Sequence, residues 1–533
     1  MNPEILVGFP EGRPLVRDYV QGESHLARYF AGDFRSREAY RQKAREVDTR
    51  FHRDGRERVL DLIHDPTDEV AERLGKWVDK GGYLVTTGQQ PGLFLGPLYA
   101  LYKALTAVRL ARALEPVLGK PVLPLFWVAS EDHDWDEAAH THLPDLDNEV
   151  RTLRVPPQKG SSRDPLHRIG VPAFGEMIEE LAEILPDSDF SPRLLGLLRD
   201  AYPDGVTLSD GFLGAMRGLL SHLPIVYAGA HHPELKQASL PVLLRELEES
   251  EEHEALLSRT ASHLEMDGYH AQVPVLEGGA NLFLEGPEGR DRIFRDGPGF
   301  RLRRADVRLS AKEIRSRVRD DPSLLSPNVL LRPVVESTLF PSVGYVAGPG
   351  EVAYYAQLRD FFDAHGLRMP VIHPRHSVTL VEAKIRKVLD KFHLSVDGMH
   401  RPHHELAGEI ARDEIPPEIR KALGEIRGAI GRGSGSLAGA VKTLDGTLKG
   451  PVAQARNAAF AAFDEAERKI LQAVKRENEI ALDQLEKAQS HLFPTGKPQE
   501  RVTNPFYYLS RYGPELVDAL LERFDVDLGT ETR

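Results

Sequence analysis

The stretch Tyr83-Leu-Val-Thr-Thr-Gly-Gln-Gln-Pro-Gly-Leu-Phe-Leu-Gly-Pro-Leu-Tyr-Ala-Leu-Tyr-Lys103 predicts a strand, a glycine-rich turn and a helix in direct succession. Leu84 to Thr87 is a short, apolar and β-branched run, as strands prefer. After Pro97 the apolar residues recur every three or four positions, which is the helical period. Proline suits the first helical position, because its missing N–H needs no partner there. Such a turn directs backbone N–H groups toward one point and favours an anion, often a phosphate.

A second buried strand is expected after this helix, which we predict to end near Leu114. Residues 122–129 are almost wholly apolar, as is typical of a parallel strand that is covered on both faces. Strand, helix and strand form a βαβ unit with a right-handed crossover. The acidic run 130–137 follows the second strand directly. Ligands of open α/β sheets bind beyond the carboxyl ends of strands, so the glycine turn and the acidic run should share one edge.

Further elements follow from periodicity and turn signals. The predicted strands are 150–155, 170–174, 223–229 and 370–375, with a hairpin formed by 281–285 and 292–295; the predicted helices are 175–185, 211–222, 233–266, 310–320 and 352–365. Together they indicate an α/β fold with a Rossmann-like parallel sheet core.

The predicted domains are a core over 1–377, a helical coiled-coil arm over 378–492 and a segment over 493–533 that docks back on the core. Irregular segments at about 138–210 and 267–327 are read as insertions in the core. A long helix from about 453 to 492 has apolar residues in three-, four- and seven-residue steps, and 431–435 reads as a flexible tip. This pattern favours an antiparallel coiled coil that dimerises. A helical hairpin packed on its own body is the alternative.

The composition excludes several classes of site. The chain has 533 residues and no cysteine, so disulfides, cysteine nucleophiles and cysteine-based metal sites are excluded. No apolar run is long enough for a membrane span, and the N-terminal residues do not resemble a secretory signal. The net charge of −13 comes without a basic stripe, so we expect no nucleic-acid partner. A cytoplasmic location is expected.

The acidic run supplies the candidate acid–base residues Glu131, Asp132, His133 and Asp134. The pKa of an unperturbed histidine lies near neutrality, so His133 is a candidate general base. A carboxylate here would bind an ammonium group or a metal ion. Two readings without a ligand stay open, namely a helix N-cap from Asp132 or Asp134 and a solvated loop. A zinc site formed by His133, His140 and His142 is a further alternative.

The candidate binding residues lie at several predicted strand ends. Backbone and side-chain donors at Gly88, Gln89, Gln90 and Gly92 suit a phosphate or carboxylate, although a tight turn without a ligand is the alternative. Arg332 would clamp a carboxylate bidentately, unless it forms an internal ion pair with Glu336. The remaining candidates are Gly348, Gly350, Arg375, Arg501 and Asn504, and the strand-end histidines are His231, His232 and His373.

Several motifs, in the same order over nearly the whole chain, resemble the cysteine-adding enzymes of bacillithiol biosynthesis. They are Thr87-Gly-Gln-Gln-Pro-Gly-Leu-Phe94, Gly96-Pro-Leu-Tyr99, Phe126-Trp-Val-Ala-Ser-Glu-Asp-His-Asp134, Leu331-Arg-Pro-Val-Val-Glu336, Gly348-Pro-Gly-Glu-Val-Ala-Tyr354, Pro374-Arg375 and Pro498-Gln-Glu-Arg-Val-Thr-Asn504. The resemblance implies a nucleotidyltransferase-like Rossmann core with connecting-peptide insertions, a coiled-coil domain and a homodimer. It implies a ligase that adds L-cysteine to the amine of glucosaminyl malate, with ATP or ADP as the expected nucleotide.

The resemblance also implies kinship to class I aminoacyl-tRNA synthetases and pantothenate synthetase. Those enzymes carry a His-x-Gly-His turn where this chain has residues 88–96, and both histidines are absent here. A Lys-x-Ser-Lys loop is absent too. Two other functions therefore stay open: a nucleotidyltransferase-like enzyme that activates another small carboxylic acid, and a non-catalytic coiled-coil dimer that senses a nucleotide. The metal requirement is left open.

Overall fold

The computed structural model describes residues 3–10, 12–159 and 164–529, and these ranges contain fourteen strands. The strands are β1 (Glu4–Gly8), β2 (Tyr83–Gln89), β3 (Val122–Val128), β4 (His140–Pro144), β5 (Val150–Arg154), β6 (Val226–Gly229), β7 (Gly279–Gly286), β8 (Gly289–Asp296), β9 (Gly299–Leu302), β10 (Arg308–Leu309), β11 (Leu325–Pro327), β12 (Ser342–Ala347), β13 (Val371–Pro374) and β14 (Ser377–Val381).

The same ranges contain twenty-one α-helices. They are α1 (Pro14–Gln21), α2 (Arg37–Arg50), α3 (Arg53–Leu60), α4 (Asp68–Asp79), α5 (Tyr99–Leu118), α6 (Trp135–Ala138), α7 (Phe174–Ile184), α8 (Ser191–Ala201), α9 (Leu208–Leu219), α10 (Pro233–Met266), α11 (Ala311–Asp320), α12 (Arg332–Leu339), α13 (Pro349–Tyr355), α14 (Arg359–Ala364), α15 (Ala383–Phe392), α16 (His403–Asp413), α17 (Pro417–Leu444), α18 (Lys449–Glu477), α19 (Glu479–Leu492), α20 (Pro505–Tyr512) and α21 (Leu516–Arg523). No helix among the described residues is both long and apolar enough to cross a membrane.

The central sheet confirms the predicted Rossmann-like core. Its five strands run in the order β13-β12-β2-β3-β6, and every pairing is parallel. The apolar runs of β2 and β3 are buried, and large hydrophobic clusters cover both faces of the sheet. Because the strands are parallel, the loops that follow β2, β3, β12 and β13 meet at one edge.

A second five-stranded sheet has the order β10-β9-β8-β7-β11 and is antiparallel. It contains the predicted hairpin, in which β7 and β8 are joined at Gly286 and Gly289. Strands β4 and β5 form a separate antiparallel pair, and β1 pairs with β14.

The chain divides into two compact units. The core unit comprises Met1–Leu380 with Glu500–Arg533, and the helical unit comprises Val381–Gln499. In the helical unit, α17 and α18 run alongside each other, and Arg427 of α17 forms ion pairs with Asp464 and Glu467 of α18. No residue of α17 is buried within the chain.

Some predicted elements of the core were wrong. Residues 170–174 form no strand: Gly170 makes one isolated bridge to Thr207, and Pro172 cannot donate to a ladder. The predicted helix over 352–365 is split into α13 and α14. The break occurs where the side chain of Gln357 exchanges two hydrogen bonds with the backbone of Val273, each 2.9 Å long.

Helix ends and interruptions also differ from prediction. Helix α5 continues past Leu114 to Leu118 and ends where Gly119 adopts a left-handed φ of 65°. The predicted uninterrupted helix over 453–492 is broken at Asn478, whose side chain donates to the carbonyl of Val474 and competes with the backbone. The predicted flexible tip at 431–435 lies within α17, because α18 packs along this helix.

Candidate functional site

A cleft of about 500 Å³ opens at the edge of the central sheet where the parallel strands end. The predicted residues that line it from β2 and its turn are Gly88, Gln89 and Gln90. The predicted lining residues from other parts of the chain are Asp132, Arg332, Gly348, Gly350, Arg375 and Arg501. The structure therefore brings nine predicted site residues to one cleft. The other six, Gly92, Glu131, His133, Asp134, Glu336 and Asn504, do not line it.

The glycine turn is a tightly packed joint. A Cβ on Gly88 would lie 2.9 Å from the carbonyl oxygen of Trp127, so this position requires glycine where β2 approaches β3. Phe94 and Leu95, both buried, have positive φ angles of 49° and 72°. Such backbone costs free energy in residues with side chains, so the surrounding packing must hold it.

Asn504 provides part of that support from the C-terminal segment. Its side-chain amide donates to the carbonyl of Phe94 at 2.8 Å and to the hydroxyl of Thr141 at 2.9 Å, and its side-chain oxygen accepts from the amide of Phe506. The residue is fully buried. Asn504 thus closes the glycine turn and caps α20, which explains its place outside the cleft lining.

Lys103 of α5 connects the two glycine-containing turns at the floor of the cleft. Its ammonium group donates to the carbonyl of Gly88 at 2.6 Å and lies 2.6 Å from the carboxylate of Glu351. Glu351 also accepts from the hydroxyl of Tyr345 and from the amide of Gly348. Burial lowers the pKa of Lys103, while Glu351 opposes this effect. The positive charge of Lys103 is thus balanced by the carboxylate of Glu351 before any ligand binds.

Arg375 is likewise occupied by an internal partner. Its guanidinium donates two hydrogen bonds to the carboxylate of Glu500, at 2.8 and 2.6 Å, and both side chains are almost fully buried. The guanidinium also lies 5.6 Å from the centre of the Tyr99 ring. Arg375 therefore forms a fixed wall of the cleft, and its donors are largely used.

Two other arginines in the cleft keep most of their donors unused. The guanidinium of Arg332 has one hydrogen bond, to the hydroxyl of Tyr354 at 3.2 Å. Burial opposes its charge, but the oxygens of Tyr354, Tyr345 and Glu351 outweigh that effect and raise its pKa. Arg501 is exposed and has no hydrogen bond or ion pair among the described residues. The cleft thus presents two cations that suit an anionic ligand.

Glu336 lies one turn after Arg332 on α12, and the two do not form the predicted alternative ion pair within 4.0 Å. Burial raises the pKa of Glu336 to about 7, and the hydroxyl of Thr86 and the charge of Arg332 oppose that rise. This carboxyl is therefore buried one helical turn from the cleft-lining Arg332, and its pKa lies close to neutral pH.

Carboxylates from the acidic run face the same cleft. Asp132 lines it, and so does Glu137 from α6. Burial raises the pKa of Glu137, as do the negative charges of Asp134 and Asp132. A carboxyl group with a raised pKa accepts a proton more readily and is a suitable base.

The other acidic-run residues have local partners. Glu131 forms an ion pair with Lys236 of α10 at 2.6 Å. Asp134 caps α6 by accepting from the amide of Glu137, which confirms the predicted alternative of an N-cap. Burial lowers the pKa of His133, and the positive charge of Arg290 adds to this effect. The buried Nδ1 of His133 has no hydrogen-bond partner.

The strand-end histidines lie in separate settings. His231 contacts the hydroxyl of Ser130 at 2.7 Å, and burial lowers its pKa. His232 has a buried Nδ1 without a hydrogen bond. Burial lowers the pKa of His373 to about 3, so this histidine is neutral. None of the three lines the cleft.

The predicted zinc alternative is wrong for the described residues. His140 and His142 are neighbours, with ring centres 5.0 Å apart, but each Nδ1 already contacts a protein oxygen. His133 does not join them in a group with metal-binding spacing anywhere in the described part of the chain.

Comparison with known families covers nearly the whole chain. Residues 5–376 match the model described as "Bacillithiol biosynthesis BshC, N-terminal Rossmann-like domain", and residues 378–529 match "Bacillithiol biosynthesis BshC, C-terminal coiled-coil domain". The chain belongs to the BshC family. This assignment confirms the family resemblance and the combination of a Rossmann-like core with a coiled-coil domain.

Individual BshC relatives agree with this assignment. The protein named "Putative cysteine ligase BshC" from Salinibacter ruber is 34% identical, with 98% of this chain and 96% of the relative covered. Relatives of the same name from Chlorobaculum tepidum and Symbiobacterium thermophilum are 33% and 32% identical. The matches cover 82% and 84% of this chain, and 80% and 83% of those relatives.

The candidate BshC-family site also contains residues that sequence reasoning missed. They are Tyr99, Lys103, Glu137 and Glu500. Lys103 had a usable signal, because it is a cation on the buried, otherwise apolar side of α5. Glu500 had none, because its partner Arg375 lies 125 residues earlier in the chain.

Proposed function

We propose that this chain is a cysteine ligase that joins L-cysteine to the amine of glucosaminyl malate in the last step of bacillithiol biosynthesis. The shared name of the BshC relatives supports a ligase. The observation that carries the proposal is the charge arrangement of the cleft. Arg332 and Arg501 have donors to spare, while Asp132 and Glu137 provide carboxylates in the same space.

Both proposed substrates carry an amine and carboxylates, so they need binding groups of both signs. An arginine binds a carboxylate through two parallel hydrogen bonds, and we assign this role to Arg332 and Arg501. Asp132 and Glu137 would hold the ammonium group of glucosaminyl malate. An amine attacks only after losing a proton, and Glu137, whose pKa is raised by burial, is our proposed acceptor of that proton. His133 remains a proposed general base outside the cleft lining.

Joining a carboxylate to an amine in water is uphill, so the carboxylate must be activated. We propose that ATP supplies this activation and leaves as AMP with pyrophosphate or as ADP with phosphate. Gln89 and Gln90 line the cleft and carry side-chain amide donors, which suit phosphate oxygens. Gln89 also donates to the hydroxyl of Tyr99 at 3.2 Å, which orients its side chain toward the cleft wall.

The enzyme assay separates binding from folding. Purified protein is incubated with cysteine, glucosaminyl malate and ATP, and the product and the adenine nucleotides are followed by mass spectrometry. Arg332→Lys should lower kcat/KM by about 10- to 100-fold, because lysine cannot form the two parallel bonds. Arg501→Gln should raise KM by about tenfold without changing the thermal midpoint, because Arg501 is exposed and unpaired among the described residues.

Arg193→Gln is the matched control, since Arg193 is an exposed arginine of α8 that does not line the cleft. It should leave kcat/KM unchanged. Wild-type kcat/KM in both cleft variants would refute their assigned roles. In cells, a deletion strain with normal bacillithiol and no accumulated glucosaminyl malate would refute the reaction itself.

We further propose a cytoplasmic homodimer that forms through the helical unit. Several large apolar side chains of α17 are exposed in the single chain, namely Ile419, Ile426, Leu437 and Leu444. Burying such residues against a second copy would remove apolar surface from water. The overall negative charge argues against a nucleic-acid partner.

A further inference from the structure

A buried cluster outside the cleft joins two helices of the core unit. Glu246 and His253 lie on α10, and His365 directly follows α14. One potential ligand atom from each of the three residues lies within 4.8 Å of those from the other two. Glu246 and His253 are fully buried, and none of the three lines the cleft.

Hydrogen bonds fix which ring nitrogen carries the hydrogen in neutral His253. Its Nδ1 lies 2.6 Å from one carboxylate oxygen of Glu246. The other oxygen of Glu246 accepts from both the backbone amide and the side-chain amide of Asn281, at 2.9 and 3.0 Å. Carboxylate oxygens accept hydrogen bonds, so the Nδ1 of His253 carries the hydrogen.

His365 has the same tautomer for a different reason. Its Nδ1 lies 2.9 Å from the carbonyl oxygen of Phe361. A carbonyl oxygen can only accept a hydrogen bond, so the hydrogen must be on Nδ1. In the neutral form of both rings, each Nε2 therefore carries a lone pair.

These two nitrogens have no hydrogen-bond partner in the described structure. The Nε2 atoms of His253 and His365 are both buried without a hydrogen bond. The rings stack with their centres 4.5 Å apart and an angle of 27° between them. Two buried acceptors on stacked rings, with no hydrogen-bond donor, form an arrangement that a cation would satisfy.

We propose that His253 and His365 bind one divalent transition-metal ion through their Nε2 atoms. Metal-binding histidines usually donate the other ring hydrogen to a carboxylate or a backbone carbonyl, and Glu246 and Phe361 provide these two acceptors. Glu249 is the nearest additional oxygen ligand, since its carboxylate lies 3.5 Å from the Nε2 of His253. Two imidazoles with a carboxylate suit Zn²⁺ and similar first-row ions.

The metal would have a structural role. It would link the middle of α10 to the end of α14, and α14 follows α13, the helix that carries Gly350 and Glu351. The competing arrangement is a doubly protonated His253 between Glu246 and Glu249. That arrangement needs no metal. Glu249 also pairs with Arg245 at 2.8 Å, so binding the metal would have to compete with this contact.

The test uses the full-length chain, stripped with a chelator and dialysed, with Zn²⁺ as the probe. The His140→Gln variant serves as the background, because it removes the neighbouring surface histidine pair His140 and His142. This background should bind one equivalent of Zn²⁺ by metal analysis and calorimetry. Adding His365→Gln should weaken Zn²⁺ binding at least 100-fold, and adding Glu249→Gln should weaken it about tenfold.

Thermal midpoints give a second measurement that does not depend on catalysis. Zn²⁺ should raise the midpoint of the His140→Gln background and leave that of the His365→Gln variant unchanged. If His365→Gln fails to fold, the partly exposed Glu249→Gln variant decides the question through its affinity. Binding below 0.1 equivalent in the background would overturn the proposal, as would Zn²⁺ affinity that is unchanged in all variants that fold.

Discussion

Replacing Glu500 by glutamine should destabilise the core unit by about 3–5 kcal/mol. The carboxylate of Glu500 receives two hydrogen bonds from Arg375 and one from the backbone amide of Val378. Glutamine is nearly the same size, but it carries no charge. The buried guanidinium of Arg375 would lose its counterion, and an uncompensated buried charge is the costly outcome.

Tryptophan fluorescence measures this loss in the core unit alone. The chain has three tryptophans, Trp77, Trp127 and Trp135, and all are buried in that unit. With a urea dependence of about 3 kcal/mol per molar, the Glu500→Gln midpoint should fall by roughly 1 to 1.7 M.

A surface ion pair provides the control. Glu72 and Lys76 of α4 lie 2.7 Å apart and are both largely exposed. Glu72→Gln should therefore shift the midpoint by no more than about 0.3 M. Adding Arg375→Met to Glu500→Gln should recover part of the loss, since no buried charge then remains. A Glu500→Gln shift no larger than the control shift would refute the reasoning.

Two further predictions concern a buried carboxyl and the helical unit. Because the folded pKa of Glu336 is raised from 4.5 to about 7, this group stabilises the fold below pH 4.5 and loses about 3 kcal/mol of that stabilisation as the pH rises through 7. In urea titrations, the stability of Glu336→Gln relative to wild type should thus increase from pH 5 to pH 8. A difference in unfolding free energy that stays constant with pH would contradict this. Light scattering should give twice the 59.5 kDa chain mass, and Ile426→Glu in α17 should give the single-chain mass. A monomeric wild type would rule out the proposed dimer.

The parts of the fold that local patterns determine could be predicted from the sequence. Helix α10 has the predicted bounds, Pro233 to Met266. The central strands β2 and β3 were also found, because continuous apolar runs bounded by glycine or proline are typical of buried parallel strands. The common edge of the sheet followed from their direction, and it brought nine of the predicted residues to one cleft.

Which charged side chains are free to bind a ligand could not be predicted, because this depends on partners far away in the chain. Arg375 and Arg501 were both predicted as binding residues from the sequence. In the structure Arg375 is held by Glu500, while Arg501 is unpaired among the described residues. Lys103 and Glu351 likewise neutralise each other across 248 positions of the sequence. Such pairings depend on tertiary packing, which periodicity does not report.

The bond between Asn504 and the carbonyl of Phe94 has a consequence for how the protein is made. The two residues are 410 positions apart, and the entire helical unit is encoded between them. At typical translation rates of 5–20 residues per second, the ribosome needs about 20–80 s to travel that distance. During this time Phe94 and Leu95, the two residues with positive φ, have been synthesised. Asn504, whose side chain donates to the carbonyl of Phe94, has not. The cleft therefore gains its final support only in the last moments of synthesis, and a nascent chain that terminates before residue 504 never acquires it.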